Sequence, residues 1–217
     1  SDLKDDRIKL ALTPPKDKFN TFLCYGGLPE VAASLSVVLT MNVSYTSLKN
    51  LDMPPIHQLR KIFKLPYNSA ITYHGLKKEA VTSIPDFEKN KDRIVIINPY
   101  SNSMSTTIAI YETLCDELIR RGYLVYTNVV GPQKVLSGSK PLNCDIYELY
   151  SICCEVPLII SVRSGILDLA APSGVNMFVL YENSEYSKRS FTLYEWECKG
   201  KIREVFFKGE PDINDIL

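Results

Sequence analysis

Two rhythms of apolar and polar positions divide the chain. Residues 93–98 carry a run of isoleucine and valine at 94–97, the composition of a buried strand. Residues 107–121 then place Ile108, Tyr111, Leu114, Cys115, Leu118 and Ile119 on one helical face, and Gly122 stands where a helix would stop. The alternation continues with a strand over 123–130, a helix over 145–154, a strand over 157–162, a helix over 164–171 and a strand over 176–181. A β-α-β-α-β-α-β order predicts an α/β, Rossmann-like parallel sheet with right-handed crossovers. Residues 191–207 alternate around Lys199 and Gly200 and read as a hairpin.

Residues 1–90 lack that rhythm and predict a mostly helical N-terminal segment, with the Rossmann-like domain over 91–217. A helix fits 28–41, with Pro29 in its first turn. Another fits 56–65, where Ile56, Leu59, Ile62 and Phe63 share a face before Pro66. The polar run 86–92 reads as a boundary loop. The apolar stretch 31–43 is shorter than the roughly 20 residues needed to span a membrane, and it contains serine, threonine and asparagine.

Composition narrows the partners. Lysine plus arginine and aspartate plus glutamate both number 25. A balanced chain has no bulk field to draw nucleic acid or anionic lipid, so no nucleic-acid partner is expected. The mixed basic and aromatic cluster of Lys61, Lys64, Tyr67, Tyr73, Lys77 and Lys78 reads as a solvated face. The six cysteines have no C-x-x-C pair and only His57 and His74 accompany them, which disfavours a structural zinc site. Scattered cysteines also disfavour a disulfide scaffold and suit a cytoplasmic setting. His57 and His74 read as surface or packed residues, since no partner residues for acid–base work stand near them in the sequence.

In a sheet of this kind ligands bind beyond the carboxyl ends of the strands. The turn Arg163, Ser164, Gly165 falls at such an end. Gly165 permits close approach of a backbone to a ligand, Ser164 can cap the helix or donate to a phosphate, Arg163 offers a cation, and Asp168 lies in the first helical turn. The alternative is an ordinary capped turn with Arg163 ion-paired elsewhere. The loop containing Ser101, Asn102 and Ser103 follows the first strand of the repeat and carries hydroxyl and amide groups suited to phosphate or sugar. Residues 131–134 and Glu182 follow other strands at the same edge. No G-x-x-x-x-G-K-[ST] and no G-x-G-x-x-G is present, which disfavours P-loop NTPases and dinucleotide oxidoreductases.

With the apolar strand at 159–162, the Arg163-Ser164-Gly165 turn, the helix ending in Ala170 and Ala171, then Gly174 and the strand at 177–181, residues 93–181 resemble the donor-binding half of GT-B glycosyltransferases of the heptosyltransferase type. The resemblance implies transfer of a sugar from a nucleotide-sugar donor, a co-substrate rather than a cofactor, to a glycan or lipid-linked acceptor. It carries a diphosphate-contact role onto Ser164 and Gly165, and by position onto the loop with Ser101, Asn102 and Ser103. Arg163 stands where that pattern has an acidic or small residue, and Asp168 where it often has histidine. No D-x-D triplet is present, so metal-independent transfer is expected, with Arg163 and the helix N-terminus stabilising the leaving diphosphate. The segment is also similar to polysaccharide pyruvyl transferases in the order Arg163, Gly174, Tyr181. A non-catalytic nucleotide- or sugar-binding module is the alternative from another class. The resemblance further implies a role in polysaccharide biosynthesis, at the inner face of a membrane by peripheral association. No catalytic base is assigned.

Overall fold

The computed structural model describes residues 8–12, 21–25, 57, 66–68, 76–101, 107–182, 192–193 and 198–207, with backbone alone for 8–12, 21–25 and 182. The chain divides into two compact units, Ser1–Ala70 with Arg189–Thr192, and Ile71–Lys188 with Leu193–Leu217. In the first unit β1 (Ile8–Leu12) and β2 (Thr21–Tyr25) form an antiparallel ribbon with Ile8 opposite Tyr25 and Leu12 opposite Thr21. Sequence reading of residues 1–90 named no strand, so the ribbon is an element it missed. The helices expected over 28–41 and 56–65 lie outside the described residues, apart from His57. That histidine is buried and stacks on Tyr67 with ring centroids 3.8 Å apart, a packing role.

The second unit begins well before residue 90. Its residues 76–84 are strapped to a later helix: Glu79 N–H donates to Ser151 Oγ at 2.7 Å and Ser83 N–H to Glu148 Oε1 at 2.7 Å. The run expected as a boundary loop forms a helical turn, α1 (Phe87–Asn90), followed by a 3-10 turn over Lys91–Arg93, because Phe87 supplies an apolar anchor that is buried.

A six-stranded sheet follows, built of β3 (Ile94–Asn98), β4 (Leu124–Asn128), β5 (Lys140–Leu142), β6 (Leu158–Val162), β7 (Asn176–Glu182) and β8 (Ile202–Phe207). Every pairing is parallel and the spatial order is β5-β4-β3-β6-β7-β8. Counted along the unit this is 3-2-1-4-5-6, the doubly wound Rossmann order. The expected fold of this part is therefore present, with β5 and β8 added to the four strands of the β-α repeat. β5 is a short edge strand containing Pro141, which suits an edge because proline cannot donate to a ladder. β8 pairs parallel with β7, so residues 202–207 are a sixth strand of the sheet rather than the second arm of a hairpin.

The helices are α2 (Ile108–Arg120), α3 (Ile146–Cys153) and α4 (Gly165–Ala170). α2 buries Ile110, Tyr111, Leu114, Cys115 and Leu118 against Val95, Ile97, Val125 and Ile160. It ends in a Schellman motif, with Gly122 at φ 88°, Gly122 N–H donating to Ile119 O and Tyr123 N–H to Leu118 O. α3 is capped by Asp145, whose Oδ1 accepts from Tyr147 and Glu148 N–H at 2.9 Å. Among the described residues no helix is long and apolar enough to cross a membrane.

Gly200 makes the start of β8 possible. A Cβ there would lie 1.9 Å from the Val175 carbonyl oxygen. Its neighbours are drawn in by Lys199 N–H to Ala171 O at 3.0 Å and Met177 N–H to Lys201 O at 2.8 Å. Gly200→Ala is expected to cost about 1–3 kcal/mol in urea unfolding, as overpacking does. An unchanged midpoint would show that this approach is not held in solution.

Candidate functional site

Winding reverses between β3 and β6, and a doubly wound sheet opens a crevice beyond the carboxyl ends of the two strands that flank such a point. β3 ends in Asn98, held extended by Pro99 after it. β6 ends in Ser161 and Val162 and runs directly into Arg163 and Ser164. Asn98 is 5% exposed and Ser161 is fully buried, polar groups in otherwise apolar strands.

Asn98 ties three strands and a turn together. Its Oδ1 accepts from Asn128 Nδ2, at the end of β4, at 2.9 Å. Its Nδ2 faces Ser161 Oγ at 2.9 Å, Ser164 Oγ at 3.0 Å and the Tyr100 carbonyl at 3.2 Å. An amide nitrogen has two hydrogens, so these three acceptors share them. Ser161 passes its own hydrogen to the Val162 carbonyl at 2.6 Å. Tyr100 is anchored by its hydroxyl, which donates to the Lys134 carbonyl at 2.7 Å, so the loop after β4 joins the same edge.

Ser164 is half-buried and is the N-cap residue of α4, yet its side chain makes no capping hydrogen bond. Its Oγ serves as an acceptor for Asn98, which leaves the hydroxyl hydrogen available to donate outward. Gly165 is exposed, and a Cβ on it would meet nothing within 4 Å. The fold itself therefore does not require glycine at this position. α4 is only six residues long, so its dipole is a small contributor.

Arg163 is placed differently from Ser164 and Gly165. It is 7% exposed, its Nη2 pairs with Asp168 Oδ1 at 2.7 Å, and its Nη1 donates to the Ser164 carbonyl at 2.9 Å. The guanidinium thus clips the turn to the first turn of α4. Desolvation raises the Asp168 carboxyl above its ordinary range, opposed by the charge and hydrogen bond of Arg163. The side chain of Asp168 keeps 42% of its surface accessible, so solvent moderates that rise. Nearby on β7, Tyr181 is fully buried and donates to Glu204 Oε1 at 2.6 Å, and burial pushes its hydroxyl far above the usual range.

Of the residues singled out in the sequence, Arg163, Ser164, Gly165 and Asp168 come together at this edge. Ser101 belongs to the loop after β3, while Asn102 and Ser103 lie outside the described residues. Sequence reasoning placed Asn98 at this edge only as the first residue of the loop 98–107 and missed Asn128 and Ser161. A signal for them existed: each is a polar residue at or next to the carboxyl end of an apolar strand. Among the described residues no three His, Cys, Asp or Glu side chains group as a metal site would need.

Among solved structures, the glycosyl transferase family 9 protein of Veillonella parvula DSM 2008 is similar at a TM-score of 0.44 and 15% identity, covering 55% of this chain. The match spans 38% of that protein's own length, and likeness at this level carries no argument about activity or site residues. No protein-family model matches the chain, and no curated protein does.

Asn98→Ala is expected to lower stability by about 1–3 kcal/mol, the cost of leaving a buried partner without its hydrogen bond. Chemical unfolding measures this, and a loss below about 0.5 kcal/mol, the range of ordinary surface changes, would mean that the network does not hold the strand ends.

Proposed function

We propose that the second unit binds the diphosphate of a nucleotide-sugar in the crevice between β3 and β6, as the donor-binding half of a metal-independent glycosyltransferase. The observation that carries the reading is the Asn98 network. It orients the Ser164 hydroxyl at the point where a doubly wound sheet takes its ligand. Gly165 adds an open backbone position beside that hydroxyl, one whose freedom the fold does not use. The missing P-loop and dinucleotide signatures direct the choice of phosphate ligand toward a sugar-nucleotide.

In this reading Ser164 and the backbone at Gly165 contact the diphosphate. Ser101, which follows β3, approaches it from the β3 side. Arg163 acts as a positioning residue through the Ser164 carbonyl and Asp168, because its charge is engaged within the turn. During transfer the bond between the sugar anomeric carbon and the diphosphate oxygen breaks. A new bond forms to an acceptor hydroxyl, whose proton leaves to a base, and the nucleoside diphosphate departs with the bonding electrons. The acceptor is a glycan or a lipid-linked glycan, met at the cytoplasmic face of a membrane through peripheral association. Polysaccharide biosynthesis is the process such an activity would serve.

A second reading, a nucleotide- or sugar-binding module without catalysis of its own, is favoured by one observation. The Arg163 guanidinium is buried against Asp168, so its charge is largely neutralised before it can stabilise a leaving group.

Titration calorimetry with UDP-, GDP-, ADP- and CMP-linked sugars tests both readings. Binding of one of them, with transfer to a glycan acceptor, is the expected result. Binding without transfer supports the module, and no binding of any at millimolar concentration removes both. Gly165→Ala separates the contact from the fold. It is expected to leave unfolding unchanged or to stabilise by up to about 1 kcal/mol, since alanine is the better helix former. The same variant is expected to weaken nucleoside diphosphate at least tenfold, about 1.4 kcal/mol, with nucleoside affinity unchanged. Equal weakening of diphosphate and nucleoside would contradict a diphosphate contact.

A further inference from the structure

α2 packs on the face of the sheet that displays Val95, Ile97, Val125, Ile160 and Phe178. Beside α2 a groove of about 440 Å³ opens over the amino-terminal halves of β6, β7 and β8. Its lining is largely aliphatic: Leu114 and Leu118 from the helix, Leu158 and Ile160 from β6, and Ile202 from β8, with Phe178 of β7 between the two strands. The volume falls in the range of small-ligand sites, about 300–1,000 Å³, which are mostly apolar with a few placed polar groups. The groove lies at the amino edge of the strands, away from the crevice at the carboxyl edge.

The polar groups of this groove gather at one end. Asn176 is the first residue of β7, and Lys201 immediately precedes β8. The Asn176 amide is engaged: its Oδ1 accepts from Lys201 N–H at 3.2 Å, and its Nδ2 donates to the Pro157 carbonyl at 3.0 Å. Arg203 also lines the groove, and its guanidinium lies over the Phe178 ring, 5.4 Å from the ring centre. Lys201 is exposed, and among the described residues no carboxylate pairs with its ammonium. One cation at the mouth of an aliphatic groove suits a ligand with a single negative charge at the end of an apolar chain. We propose that the groove binds an alkyl carboxylate, its chain against Leu114, Leu118 and Ile160 and its head group at Lys201. Neighbouring strands are about 4.8 Å apart, so a groove over three of them is roughly 10 Å across, room for a chain of several carbons. Burial of the chain supplies most of the affinity. The ion pair at the exposed mouth adds little affinity and sets the class of head group. The inference is independent of the donor-site reading, because it concerns the other edge of the sheet.

The test is a titration of the full chain with decanoate, decanol and decyltrimethylammonium, each below its micelle-forming concentration, followed by methyl-resolved NMR. Decanoate is expected to shift the methyl signals of Leu118, Leu158, Ile160 and Ile202 saturably, and decyltrimethylammonium is expected to bind most weakly of the three. Lys201→Gln is expected to weaken decanoate about three- to fivefold, the scale of one exposed charge pair, and to leave decanol affinity unchanged. Lys201 is exposed and precedes the strand, so the variant should unfold at the wild-type temperature. Shifts that do not saturate, or that centre on other methyl groups, overturn the proposal. So does tighter binding of the cationic chain than of decanoate, or a Lys201→Gln variant that weakens decanoate and decanol alike.

Discussion

The amide of Asn98 is the constraint on which the rest of the second unit depends. It stands where the sheet changes its direction of winding, so β3 must pair with β4 on one side and β6 on the other. Parallel pairs of this kind are closed by long connections, and nothing local sets how their ends align. Asn98 supplies that alignment by accepting from Asn128 and donating toward Ser161 and Ser164. Buried in a low-dielectric strand end, each of these hydrogen bonds is costly to lose. The same bonds that level the strand ends also aim the Ser164 hydroxyl. Strand alignment and candidate binding geometry are thus one network.

Arg163 shows how such an edge separates support from contact. A cation beside a serine–glycine turn suggests an anion ligand, yet its guanidinium faces inward to Asp168 and the Ser164 carbonyl. The pair holds the turn that α4, at six residues, is too short to hold by itself. Removing Asp168 would strand the buried guanidinium, which costs more than the pair contributes. Its place behind the turn fits a role in the shape of the cradle rather than in its charge.

Much of this was legible in the chain. The strands β3, β4, β6 and β7 are apolar runs bounded by turn residues, and the helices between them carry clear stripes, so their order specifies a parallel sheet. β5 escaped because three residues with a central proline, Lys140 to Leu142, carry no periodic signal. β8 was visible as a strand but its partner was not, since alternation says which face is buried and not which strand lies alongside. The role of Gly200 is tertiary, a close approach to Val175 that no local pattern encodes. Of the candidate site, Ser164 and Gly165 were readable from their place after an apolar strand. The direction of the Arg163 side chain was not, because it depends on a carboxylate one helical turn further on. Asn98, Asn128 and Ser161 were readable in principle as polar residues closing apolar strands, a pattern that acquires meaning only when the strand order brings them side by side.

The most direct measurement of the account is amide-resolved NMR during titration with a nucleoside diphosphate. The account predicts saturable shifts centred on the backbone amides of Ser164 and Gly165 and on the side-chain amides of Asn98 and Asn128. Shifts centred on another part of the molecule, with these four groups unmoved at saturation, would contradict it.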